Sequence, residues 1–200
     1  SSTATTMAFS RRVRADPLQL DAARAVIVLA TLVVLARVAV FAVLFSPSAL
    51  RPLAPMLGCA LAAGSMPVLS IVRGVRERHA LDVNNPGELG PALGLVILFA
   101  AVQLGAAWLQ HDLGDSGLYI ASLISGVVDL DAIVLSMLHG HALGHLDGSI
   151  LMRSVALAYA ASLLAKLLLA VVLGGRSLGR ALVAPFAMIA LGMLAGVAIG

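Results

Sequence analysis

The sequence predicts an all-α polytopic membrane protein, a transmembrane bundle of about six helices. Three observations carry that expectation. Of 200 residues, 60% are hydrophobic and only 12% charged, and the mean hydropathy is +1.03. A soluble domain carries about 25% charged residues, so lipid rather than water is the natural solvent for this surface. Apolar runs recur at the length a helix needs to cross the hydrocarbon layer, about 20 residues. The runs are continuous, without the in-out alternation of a membrane barrel.

The same numbers exclude a soluble enzyme, a disordered tail and a nucleic-acid-binding domain. The pI of 9.8 comes with a formal net charge of only +3. The basic residues sit at the ends of apolar runs and form no single patch for nucleic acid. The lone cysteine, Cys59, provides neither a disulfide framework nor a thiolate metal site. The chain opens Ser-Ser-Thr-Ala-Thr-Thr and is expected to be part of a longer membrane protein.

Residues 1–24 read as a basic cytoplasmic segment, with Arg11, Arg12, Arg14 and Arg24, ahead of a transmembrane domain over 25–200. The six spans fall near 25–45, 53–72, 92–110, 117–138, 155–173 and 182–199. Pro55, Gly58, Gly64, Pro67, Gly126 and Pro185 lie inside them, as membrane helices tolerate, because small residues let backbones approach closely. Trp108 and Tyr119, near span ends, suit interface anchoring. One side of the membrane holds Arg11, Arg12, Arg14, Arg24, Arg73, Arg76, Arg78 and Arg153, and the other holds Arg51, Arg176 and Arg180. The positive-inside rule then puts both termini in the cytoplasm.

An ungapped match places residues 24–53 against 153–182 at a constant offset of 129. Arg24 meets Arg153, Arg37 meets Lys166 and Arg51 meets Arg180. Three basic positions in register carry weight because only 13 residues are basic. With two spans between the copies, the expectation is a parallel internal repeat, spans one-two and five-six pointing the same way. Arg37 and Lys166 each lie about 20 Å from a basic residue on either side, near the midplane.

The fourth span contains Ser125-Gly126-Val127-Val128-Asp129-Leu130-Asp131 and, five residues on, Ser136. A charge at the bilayer centre costs about 2.5–3.5 kcal/mol on insertion scales, so Asp129 and Asp131 are expected to offset Arg37 and Lys166. Residues two apart are separated by about 200° on a helix. Either one aspartate faces each copy of the repeat, or the helix unwinds near Gly126 and both reach one cavity. The expected ion pathway is Asp129, Asp131, Ser125, Ser136, Arg37 and Lys166. The competing reading makes these charges purely structural, fixing helix register.

The run from Ser125 to Ser136 resembles a bacterial membrane family known as domain of unknown function 4010. The family pattern is approximately Ser-Gly-Leu-Thr-Asp-Val-Asp-Ala-Ile-Thr-Leu-Ser. Asn85-Pro86-Gly87-Glu88-Leu89 resembles its Asn-Pro-x-Glu-Leu, and the stretch from Leu113 to Tyr119 its Gly-x-x-Gly-x-Tyr turn. Where the family tends to carry Asn-x-x-x-Lys, this chain has Ser162 and Lys166. The resemblance implies a polytopic inner-membrane domain, with an MgtC/SapB-type domain in the same or a partner chain, and by that association a link to ion homeostasis.

Secondary candidates are Asn85 and Glu88, which suit helix capping or a gate, and Gln103, which suits bonding across helices. His141 and His145, at i and i+4, are a weak metal pair in a wet loop. No nucleophile-base pair and no cofactor motif is found, so no enzyme and no cofactor is expected. The partners expected are the lipid bilayer, a small inorganic ion or proton, and further copies of the chain. The function expected is a small-ion transporter or channel. The alternative is a non-transporting regulatory or scaffold subunit of a membrane complex.

Overall fold

The computed structural model describes residues 2–75, 117–127 and 130–200, and these are almost entirely helical, with no strand among them. Helix α1 spans Ser2–Ala15, α2 Leu20–Phe45 and α3 Leu50–Val75. Helix α4 spans Gly117–Val127. Helix α5 spans Leu130–Ala142, α6 Gly148–Gly174 and α7 Arg176–Ile199. The expected span at 92–110 lies outside the described residues, as do Asn85, Glu88, Gln103, Trp108 and Asp129.

Among the described residues, four segments are long and apolar enough to cross a membrane: Pro17–Phe45, Pro47–Leu69, Gly148–Gly174 and Arg176–Ile199. They cover the expected spans at 25–45, 53–72, 155–173 and 182–199. The outward face agrees with that reading, since Leu44, Leu164, Leu168, Val172, Leu191 and Leu194 are all exposed. The described residues are helical throughout apart from short connections, and their apolar helices are those of a membrane protein. The span expected at 117–138 falls on α4 and α5. The basic segment ahead of α2 is itself helical. It packs as α1 on the end of α6, where the Arg14 guanidinium donates to the Val172 carbonyl at 3.2 Å.

Local chemistry sets the helix boundaries. Pro17 and Pro47 each open a single 3-10 turn ahead of α2 and α3. The missing N–H costs nothing there, because a helix's first N–H groups have no intrahelical acceptor. Asp16 caps the first turn, accepting from the Leu18 N–H at 3.0 Å and from the Gln19 side-chain amide at 3.2 Å. Gly175, with φ +90, turns α6 into α7 in one residue, a backbone state that a Cβ disfavours.

Contacts along the bundle fix the direction of each helix. Gly64 of α3 faces Leu32 of α2 and Ile189 of α7. Gly192 then faces Cys59 and Ala63, and Gly196 faces Pro55 and Met56, so α7 runs antiparallel to α3. At the start of α6, Gly148 meets Pro52 beside the end of α2. In mid-helix Tyr159 bonds Thr31, and at the end of α6 Gly174 meets Ser10 of α1. Helix α6 therefore runs antiparallel to α2, and α7 runs parallel to it.

This corrects the parallel repeat. A constant offset says which residues correspond but is blind to direction. The segment between α3 and α4 lies outside the described residues, so four membrane-length segments are described where six spans were expected.

Glycine makes the α3–α7 contact close. Gly192, Gly196 and Gly200 recur every fourth residue, and a Cβ on Gly192 would sit 2.5 Å from the Cys59 carbonyl oxygen and 2.7 Å from the Ala63 Cβ. Lipid tails are as apolar as leucine, so association in a membrane relies on such backbone approach.

Two outcomes are expected. In a Cys59→Ala background, Arg51→Cys and Arg176→Cys react with a membrane-impermeant maleimide from opposite sides of the membrane; labelling from one common side would restore the parallel arrangement. Gly192→Leu lowers thermal stability in detergent by about 1–3 kcal/mol, the range for overpacking, whereas Gly58→Ala, whose Cβ meets open space, costs nothing.

Candidate functional site

Three charged side chains from three helices lie in the middle part of the bundle: Arg37 on α2, Asp131 on α5 and Lys166 on α6. Arg37 and Lys166 stand on either side of the mid-helix contact between the antiparallel α2 and α6. Thr31 and Tyr159, near the midpoints of those helices, are joined where the Tyr159 hydroxyl donates to the Thr31 carbonyl at 2.8 Å. Arg37 lies six residues beyond Thr31, and Lys166 seven beyond Tyr159, about 9 Å and about 10 Å in opposite directions. Helical side chains lean toward their own N-terminus. On antiparallel helices that lean brings the two cations back toward each other.

Arg37 Nη1 lies 2.9 Å from Asp131 Oδ2. The pair is partly open, with the two side chains 39% and 24% exposed. Lys166 is enclosed at 1% exposure. Its ammonium donates to Ser162 Oγ at 2.9 Å, one turn back on α6, and stands 5.9 Å from the centre of the Tyr159 ring, within cation–π range. Lys166 is attracted by Asp131 and repelled by Arg37. Among the described residues, one carboxylate thus faces two cations.

The surroundings are small and partly polar. Ser154, Ala158, Ser162 and Lys166 follow one another at four-residue spacing along one side of α6. Gly126 of α4 lies so close to the Ala158 backbone that a Cβ would collide with its carbonyl. Ser125 and Ser154 are buried, and their hydroxyls have no hydrogen-bond partner among the described residues. Thr31 satisfies its own hydroxyl by donating to the Ile27 carbonyl at 2.8 Å.

Of the six residues expected to line a pathway, Arg37 and Asp131 form an ion pair and Lys166 is bonded to Ser162. Ser125 is buried on α4, and Asp129 lies outside the described residues. Ser136 does not join them: it is exposed on α5, because five residues from Asp131 carry it about 140° round the helix. His141 Nδ1 lies 2.7 Å from the Leu146 carbonyl oxygen in the α5–α6 turn, and His145 is exposed. No group of three His, Cys, Asp or Glu placed to hold a metal occurs among the described residues. Sequence reading missed Thr31, Ser154 and Tyr159. Their signal was present as polar atoms inside apolar runs, but a lone hydroxyl can satisfy itself on its own helix and so says little about a site.

Breaking a buried pair by removing one partner costs about 3–5 kcal/mol, and partial exposure reduces that figure. Arg37→Leu is therefore expected to lower the unfolding midpoint in detergent markedly, and Asp131→Asn in the same chain to recover part of the loss. Strict additivity in the double-mutant cycle would show that the two do not act as a pair.

The family model described as "Domain of unknown function (DUF4010)" matches residues 1–174. An uncharacterized protein of Aquifex aeolicus (strain VF5) is 26% identical over 102 residues, which is 51% of this chain and 44% of that protein. The match thus spans less than half the length of that relative. No solved structure matches the chain. The family model covers 174 of the 200 residues, and the chain belongs to the DUF4010 family.

Proposed function

We propose that the protein moves a small ion across a bacterial inner membrane, with Arg37, Asp131 and Lys166 as the charged centre of its pathway. The observation that carries this reading is the placement of three ionisable side chains, on three helices, in the middle part of the bundle. Placing charge there is expensive, and ionisable residues inside membrane spans mark ion or substrate pathways and proton relays by default. Asp131 is the group for a cation or proton, Arg37 and Lys166 are its counter-charges, and the Ser125 and Ser162 hydroxyls are additional ligands. The role is binding and passage rather than catalysis.

The basic residues support one orientation. Arg11, Arg12, Arg14, Arg24, Arg73, Arg176 and Arg180 gather at the Leu20 end of the bundle, against Arg51 and Arg153 at the other. By the positive-inside rule the Leu20 end faces the cytoplasm. Association into oligomers, or with an MgtC/SapB-type domain, suits the wide apolar surface of α2, α6 and α7 without being required by it.

One observation favours a second reading. Arg37 and Asp131 already form an ion pair, and Lys166 is bonded to Ser162, as in a non-transporting scaffold subunit whose charges only set helix register. Flux in proteoliposomes separates the two, with protons, monovalent cations, divalent cations and anions tested in turn. Transport of one class by the parent chain, lost in well-folded Asp131→Asn, is the expected result. Flux that survives this substitution would remove Asp131 from the pathway. No flux of any class from folded parent protein would favour the scaffold.

A further inference from the structure

The antiparallel course of α2 and α6 gives the register of basic residues a different meaning. Residues 24–53 and 153–182 correspond at an offset of 129, which pairs Arg37 with Lys166. The hairpins that carry them, α2–α3 and α6–α7, point in opposite directions through the bundle. Such hairpins are related by a two-fold axis lying in the membrane plane. That axis has to pass where equivalent residues touch each other. Ala63 and Gly192 are 129 apart and in contact, with the Gly192 Cβ position 2.7 Å from the Ala63 Cβ. On the other helix pair, Thr31 bonds Tyr159, the neighbour of its equivalent, Ala160. Both axis points lie near mid-helix, and Arg37 and Lys166 stand on either side of the Thr31–Tyr159 contact.

We infer that α2–α3 and α6–α7 form an inverted repeat with Arg37 and Lys166 as equivalent cations, and that Asp131 exchanges one for the other as the site opens to alternate sides. The inference rests on the transport reading and deepens it. Helix α5 belongs to neither hairpin, so it presents a single carboxylate to both copies. The structure holds the arm in which Asp131 pairs with Arg37, at 2.9 Å, while Lys166 rests on Ser162 and Tyr159. Guanidinium matches a carboxylate better than ammonium does, which accounts for Arg37 being the partner in this arm. Lys166, at the position equivalent to Arg37 and bonded only to the uncharged Ser162 hydroxyl among the described partners, supplies the competing arm. Because the halves are nearly interchangeable, interchanging their conformations produces a second state of similar energy, open to the opposite side.

The test uses two reporters at equivalent positions, Val34→Cys and Leu163→Cys, each in the full chain with Cys59→Ala. Both parent side chains are buried, at 3% and 5% exposure, and they lie on opposite sides of the axis. A membrane-impermeant maleimide is applied from each side of sealed vesicles. Arg37→Gln leaves Lys166 as the partner of Asp131, and Lys166→Gln leaves Arg37. The expected result is that these two substitutions shift the labelling rates of the two reporters in opposite senses, by about fivefold or more, the lower end of typical coupling between states. Shifts in the same sense, or no shift, overturn the exchange. Should either glutamine variant fail to fold, the double exchange R37K/K166R decides: the order of labelling of the two reporters reverses under partner exchange, and an unchanged order overturns it. Labelling reads the conformational exchange whether or not an ion is carried. A reversal without flux would therefore sink the transport reading and leave the exchange standing.

Discussion

A charge carried into hydrocarbon on a helix needs an opposite charge at its own depth, and the rest of this structure is arranged around that requirement. Arg37, Asp131 and Lys166 sit on three different helices, so α2, α5 and α6 cannot slide past one another independently. A shift of one helical turn, about 5.4 Å, would separate Arg37 from Asp131 and leave two uncompensated charges in a low-dielectric medium. The ion pair therefore acts less as a source of stability than as a register mark. Its loss costs far more than its presence contributes.

The remaining cohesion comes from close approach. Water drives no association between apolar faces inside a bilayer, so backbones must come near enough for dispersion and small polar contacts to accumulate. The α3–α7 seam does this with Gly192 and Gly196, the α4–α6 contact with Gly126 against Ala158, and the α1–α6 contact with Ser10 against Gly174. The burial pattern follows the same physics in reverse of a soluble protein: Lys166 is enclosed while Leu164 and Leu168, its neighbours in sequence, face outward.

These two features meet at the charged centre. The small residues along α6 let α4 approach at Gly126 and Ala158, and the Ser162 hydroxyl on the same side of α6 holds the Lys166 ammonium. Asp131 sits between two cations held by helices of opposite direction, one pair formed and the other only electrostatic. With one carboxylate and two cations among the described residues, the cation that is not paired rests on neutral partners, as Lys166 does on Ser162 and the Tyr159 ring.

Much of this was legible in the amino-acid sequence. The apolar runs located four membrane-length helices to within a few residues, because transfer free energy is local and adds up along a segment. The rarity of charge in those runs singled out Arg37, Asp131 and Lys166 for the same reason. Ser136 was misplaced because a pattern of polar residues along one run does not say which of them turns inward. What the sequence by itself determined was the class of protein and the place of the apolar helices among the described residues. Direction was decided only by the tertiary structure. Hydropathy and residue offset read the same for a helix running up or down, and the antiparallel course of α2 and α6 is visible only in the glycine contacts and the Tyr159–Thr31 bond, which form once the helices have packed.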